Sequence, residues 1–205
     1  MASEKRYPLI VYEEWMRPLR MPAFLMAVCL AGLWLAASTG ILQRMGVAPT
    51  ALAGALLALA ALAAAILWMA VMLLPRTAFV ICRPDYLLVR IGLLRLIVSY
   101  ARVRISRTVQ HGQIHHPASQ PRTRRALAVR LALTQCIALE LTSYPMAFFL
   151  LRALTHPFFF LGREPGFLFA VQDWMGLGRK LDEARAAWLG RRRDSTKPRR
   201  LVESL

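Results

Sequence analysis

The chain reads as a membrane α-helical hairpin of two transmembrane helices followed by an α+β domain. Three observations carry this. Two long uncharged apolar runs stand near the N-terminus with few residues between them. A strand-rich stretch follows, and one amphipathic helical run lies near the C-terminus. The totals agree: 57% of the 205 residues are apolar, yet the formal net charge is +16. A soluble globular protein rarely combines the two, whereas a membrane protein keeps apolar residues in lipid and charges outside it.

The first apolar run is Pro22 to Leu42. At about 1.5 Å per residue it matches the roughly 30 Å of a bilayer's hydrocarbon layer. It exceeds the roughly 7–15 apolar residues of a cleaved signal sequence, so it reads as a span. The second run, Met45 to Pro75, is long enough to cross with tilt. Only Gln43-Arg44 and a Gly46/Pro49 turn link the two, which predicts an antiparallel hairpin. Lys5, Arg6, Arg17 and Arg20 precede the first run, and Arg76, Arg83, Arg90 and Arg95 follow the second. The link holds Arg44 alone. Positive charge on the inner side then places both termini in the cytoplasm of a bacterial inner membrane. Trp15, Trp34 and Trp68 lie toward the ends of the runs, where indoles favour the interface. Gly32, Ala36 and Gly40 in the first helix, and Gly54 and Ala58 in the second, recur every four residues. Such faces let helix backbones approach, within the hairpin or against another membrane subunit.

This organises the chain as residues 1–20, a cytoplasmic interfacial segment; 21–75, the hairpin; 76–190, the cytoplasmic domain; and 191–205, a disordered basic tail. Pro8 and Pro18 limit any helix in the first segment. In the domain, Thr77–Cys82, Leu87–Ile91 and Arg95–Tyr100 read as three strands joined by Arg83-Pro84-Asp85 and by Gly92. His111 to Arg125 reads as a polar loop. Ala126–Leu133 and Gln135–Leu141 predict a further hairpin, and Phe158–Leu161 a strand. Tyr144–Leu154 is too short to span and predicts a short helix or a membrane-surface loop. Glu164-Pro165 offers a helix start. From Phe167 through Val171, Trp174, Leu181 and Ala184 to Trp188, apolar residues recur at helical spacing, and Gly190 ends the helix. Strands first and a closing helix last predict an antiparallel sheet or small barrel capped by that helix.

The run from Thr77 to Gln110 resembles the bacterial pleckstrin-homology-like (PH-like) domain of YdbS-type membrane proteins. The matching residues are Leu87, Val89, Arg90, Gly92, Leu93, Leu94, Arg95, Tyr100, Arg102 and Val103. Paired transmembrane helices before the domain are similar too. The resemblance implies a PH-like antiparallel half-barrel capped by a C-terminal helix, and implies no settled activity. The sequence departs from that pattern at 111–125 and at 144–154.

No nucleophile elbow, P-loop, dinucleotide fingerprint or HExxH motif occurs. The few carboxylates form no pair suited to acid–base work, so the chain reads as non-catalytic, with no catalytic, cofactor or metal site and no cofactor. The cluster His111, His115, His116 lacks a nearby acidic or cysteine ligand and reads as solvated loop histidines. Cys29, Cys82 and Cys136 form no CxxC pair, which argues against a disulfide framework. Arg102, Arg104 and Arg107 alternate in one run, and Arg122, Arg124 and Arg125 form another. These six are the candidate contacts for membrane lipids or an acidic protein partner. Aromatic–basic interleaving of the RNA-binding kind is missing, so nucleic acid is not an expected partner. Three functions fit: a scaffold or binding module at the cytoplasmic membrane face, an accessory subunit of a respiratory or photosynthetic complex, or an anionic-lipid sensor.

Overall fold

In this computed structural model, which describes residues 5–39, 50–162 and 164–196, the two apolar runs form helices α1 (Ile10–Ser38) and α2 (Ala51–Thr77). Each is long and apolar enough to cross a bilayer. Only 6% of the most apolar stretch of α1 and 11% of that of α2 is buried inside the protein. Neither behaves as the core helix of a soluble domain. The ring of Phe24 meets that of Trp68 at 5.6 Å, and Ala23, Ala64 and Val71 are buried. The small-residue faces fare differently. A Cβ at Gly32 or Gly54 would meet nothing within 4 Å, so no backbone packs closely there. Ala36 and Ala58 are half-buried, and Gly40 lies outside the described residues.

Helix α1 begins at Ile10 and carries Pro18 and Pro22 inside it, against the expectation that proline limits a helix there. The two prolines are one helical turn apart. Their missing N–H groups leave the carbonyls of Glu14 and Pro18 without the usual intrahelical donor, on one side of the helix. The deficit is local, and the apolar run carries the helix through it.

The chain divides into two units, Tyr12–Thr77 and a second that joins Met1–Val11 to Ala78–Leu205. In the second unit a four-stranded antiparallel sheet has the order β1 (Tyr7–Pro8), β2 (Phe79–Cys82), β3 (Tyr86–Ile91), β4 (Leu94–Ser99). Leu9 N–H donates to the Ala78 carbonyl at 3.0 Å, beside the Tyr7–Val80 and Pro8–Phe79 pairs. The three predicted strands after the hairpin are thus present. Gly92-Leu93 closes β3 onto β4, and Gly92 takes a positive φ of 58°, as the first position of a type II′ turn requires.

Strands β5 (Val103–Gln110), β6 (Gln135–Leu141) and β7 (Gly166–Ala170) form a second antiparallel sheet. Between β5 and β6 lie a short helix α3 (His111–Ile114) and helix α4 (Arg122–Leu131). The hairpin expected over Ala126–Leu133 is therefore corrected. Leu127, Ala128 and Leu131 share one buried helical face, while Val129 and Leu133 stay exposed. Tyr144–Leu154 contains a short helix, α5 (Phe148–Leu154). Phe158–Leu161 is not a strand: Pro157–Phe159 is a 3₁₀ turn, and only Phe160 bridges to Phe167.

The last helix, α6 (Trp174–Thr196), starts later and ends later than the pattern predicts. Phe167 and Val171 precede it, and all of Gly166–Ala170 is buried strand. Asp173 is the true cap. Its Oδ1 accepts from Gly176 N–H at 2.9 Å, and its carbonyl accepts from Leu177 N–H. Gly190 does not stop the helix, so Arg191–Arg193 are helical rather than part of a disordered tail; residues 197–205 lie outside the described residues. Leu177 and Leu181 are buried, and α6 packs on β2, β5 and β6, across both sheets. It is also latched by polar groups. Arg185 Nη2 donates to the carbonyls of Val103 and Arg104, both at 3.0 Å, where β5 carries a bulge. Ser106 donates to Asp182, and Arg191 donates to the Pro84 carbonyl and pairs with Asp85.

Gly166 shows how tightly the second sheet is built. A Cβ there would fall 2.5 Å from the Leu139 carbonyl oxygen and 3.3 Å from Glu140 Cα, both backbone atoms of β6. Gly166→Ala should cost about 2–4 kcal/mol. Gly190→Ala, on an open helical face, should gain up to about 1 kcal/mol. Urea unfolding of the full chain in neutral detergent, followed by tryptophan fluorescence, checks both.

Candidate functional site

Alternation along β2, β3 and β4 sorts side chains onto two faces. Val80, Leu87, Val89, Leu96 and Val98 lie on the inner face and are almost wholly buried. The other face holds Phe79, Ile81 and Leu88 as a small apolar cluster beside Tyr86. Four arginines surround that cluster and line a cleft of about 400 Å³: Arg6, Arg83, Arg90 and Arg95. Register places Arg90 opposite Arg95 across the β3–β4 pair. The Arg6 guanidinium stacks over the Phe79 ring at 5.1 Å. Arg83 Nη1 donates to the Tyr86 hydroxyl at 2.9 Å, and Arg90 Nε to the Gly92 carbonyl at 3.4 Å. Among the described residues no carboxylate lines the cleft.

The six arginines expected to act together take separate places. Arg102 Nη1 donates to the Tyr144 carbonyl at 3.0 Å and ties two loops. The carbonyl of Arg104 is held by Arg185, and its side chain is exposed. Arg107 pairs with the buried Glu140 at 2.9 Å, so it neutralises the one buried carboxylate among the described residues. Arg122 and Arg125 are exposed on the first turns of α4, and Arg124 is half-buried there. The cleft arginines stood in the sequence as markers of membrane orientation. The signal that unites them is readable only with the register: two-residue turn at Gly92-Leu93, hence Arg90 facing Arg95 on the same side as Phe79 and Ile81.

Of the three clustered histidines, His116 is an exposed loop residue as expected, while His111 and His115 are not solvated. His111 is fully buried, and its ring lies 5.1 Å from that of His115 and from that of Phe158. His115 and His156 each stand 4.9 Å from Phe158. His115 Nε2 lies 2.9 Å from the Phe160 carbonyl, which only accepts, so that nitrogen carries the proton. His156 Nδ1 accepts from Phe158 N–H and caps the Pro157–Phe159 turn. Neither ring nitrogen of His111 has a hydrogen-bond partner. Burial, then the neighbouring His115 and His156, pushes the His111 pKa down to about 4. Burial, then Arg124 and His115, brings His156 down to about 4 as well. Burial also lowers His115. These rings work as neutral packing groups around Phe158. Among the described residues no three His, Cys, Asp or Glu side chains are grouped to hold a metal ion. Burial raises the Cys82 and Cys136 thiols to about 12, which makes both poor nucleophiles at neutral pH.

The chain matches no protein-family model, no curated protein and no solved structure.

The histidine pKa values fix a pH dependence. The unfolded chain binds protons at His111 and His156 near pH 6.5, and the folded chain only near pH 4. Stability is therefore intact above about pH 6.5 and is lost as pH falls from there toward 4, on the order of 2 kcal/mol per histidine after solvent screening. His111→Leu should flatten this fall. It should leave stability at pH 8 equal or higher, because it removes two unsatisfied nitrogens. Melting temperatures of both proteins across pH 4–8 decide this; an unchanged slope in the variant would refute the assignment. Arg107→Ala should cost about 1–2 kcal/mol, seen as a lower urea midpoint, because it strands Glu140.

Proposed function

We propose that this protein is a membrane-anchored, non-catalytic binding module whose PH-like domain recruits a ligand or partner at the cytoplasmic face of a bacterial inner membrane. One observation carries the reading. β1 lies before the helix pair and β2 after it, yet they pair in one sheet. If α1 and α2 cross the bilayer, the chain must leave the domain and return to it on the same side. Both termini then share that side, and the excess of Arg and Lys at the domain-side ends supports the cytoplasm. The links are short: Leu9 alone separates β1 from α1, and Ala78 alone separates α2 from β2. A domain tied so closely at two points works at the membrane surface.

The order of antiparallel strands followed by a closing helix supports the PH-like reading. The perturbed titratable groups support a non-catalytic one. The lowered histidines pack against Phe158, and the raised thiols lie in the sheets, that of Cys82 on the face opposite the arginine cleft. What the domain offers a ligand is positive charge over an apolar floor.

Protease protection tests the topology. Tags at the N- and C-termini should both be cleaved in inverted membrane vesicles and both be protected in right-side-out vesicles; tags on opposite sides would overturn the proposal. Binding is tested by chemical crosslinking of the full chain in its native membrane, followed by native gels. A band at monomer size alone would count against recruitment of a protein partner.

A further inference from the structure

The arginine cleft gathers like charges on one face of the first sheet. Arg90 and Arg95 occupy directly opposed strand positions. Like charges so placed destabilise a sheet. Arg6 and Arg83 bring two further guanidinium groups to the same cleft. Asp85, next to this turn in sequence, is engaged elsewhere by Arg191 at 3.1 Å. Among the described residues no carboxylate lines the cleft, and an anion shared between Arg90 and Arg95 would convert their repulsion into attraction. The groups are also held in place. Arg6 rests on Phe79, Arg83 on the Tyr86 hydroxyl and Arg90 on the Gly92 carbonyl, so little order remains to be imposed on binding.

We propose that this cleft binds a phosphate group borne on a small organic body, supplied by the headgroup of an anionic phospholipid or by a soluble phosphorylated molecule. Guanidinium forks match phosphate oxygens in pairs, and several forks suit a group with several charged oxygens better than a single carboxylate. The volume of about 400 Å³ exceeds what bare phosphate fills and falls in the range of small-molecule sites. Phe79, Ile81 and Leu88 supply an apolar floor for the organic part. The lipid source rests on the membrane reading above. The phosphate chemistry does not.

The test uses the full chain in neutral detergent with three probes: inorganic pyrophosphate, dioctanoyl phosphatidic acid and dioctanoyl phosphatidylcholine. Pyrophosphate should bind saturably, and the double variant Arg90→Gln/Arg95→Gln should weaken it at least about tenfold. The triple variant Arg122→Gln/Arg124→Gln/Arg125→Gln should bind as the parent does. Phosphatidic acid bound in preference to phosphatidylcholine, with the same sensitivity to the double variant, assigns the lipid headgroup. Pyrophosphate binding without that preference overturns the lipid source and supports a soluble ligand. No saturable binding of pyrophosphate or phosphatidic acid, or binding that the double variant leaves intact, overturns the site. The ligand-free double variant should melt no lower than the parent, because it removes a repulsion. If it fails to fold, Arg6→Gln, from outside the strands, replaces it with the same expected loss. Pyrophosphate binding needs no bilayer, so a failed topology test and a failed site remain distinguishable.

Discussion

The pairing of Tyr7–Pro8 with Phe79–Val80 is the constraint on which the rest depends. It closes a sheet around an excursion of two long apolar helices. Closing so long a loop costs entropy, but that cost grows only slowly with length, and helix formation within the loop shortens its effective span. The Leu9–Ala78 hydrogen bond lies beside the closure and brings the two chain connections together. The N-terminal residues become structural for this reason. Leu9 also bridges to Val171, and Lys5 pairs with Asp173, the cap of α6. A segment read as interfacial is thereby bound to the edge of the first sheet and to the start of the final helix.

Helix α6 plays the complementary part. It joins two sheets that share no strand. Leu177 and Leu181 bury against them, and the polar latches decide the register of the helix. Arg185 answers the two carbonyls at the β5 bulge, and Arg191 answers the β2–β3 turn. A guanidinium has enough donors to serve two carbonyls from one side chain, which a lysine does less well. The abundance of arginine in this chain thus has several physical meanings. Arg102, Arg185 and Arg191 satisfy backbone carbonyls, Arg107 neutralises a buried acid, and Arg90 and Arg95 face each other across a strand pair in the cleft.

The two long helices, the first three strands after them and the strand at Gln135–Leu141 were legible in the sequence because each has a strong local signal. Length and apolarity define the helices, and the Gly92 turn defines the β3–β4 pair. Other elements were not legible, for equally physical reasons. Gly166–Ala170 is buried on both faces, so it shows no period-two alternation, and its phenylalanines continue by chance into the helical spacing that follows. The Asp173 cap was the available signal for the true helix start. Ala126–Leu131 is short and rich in residues that serve in either state, and burial of one face by tertiary packing settled it. Nothing local marks His111 as buried; its neighbours His156 and Phe158 come from a distant stretch of chain.

The arginine cleft failed to show in the sequence for the same reason that makes it chemically distinct. Its members are spread from Arg6 to Arg95 across the whole helical excursion, so no cluster marks them. The visible clusters at 102–107 and 122–125 have other uses, in carbonyl capping, an ion pair and a solvated helix start. Arg102 and Arg107 are answered by Tyr144 and Glu140, from a later stretch of the chain. Strand register instead brings Arg90 opposite Arg95, on the face that alternation shares with Phe79 and Ile81. In this fold, register rather than composition concentrates positive charge where an anion could use it.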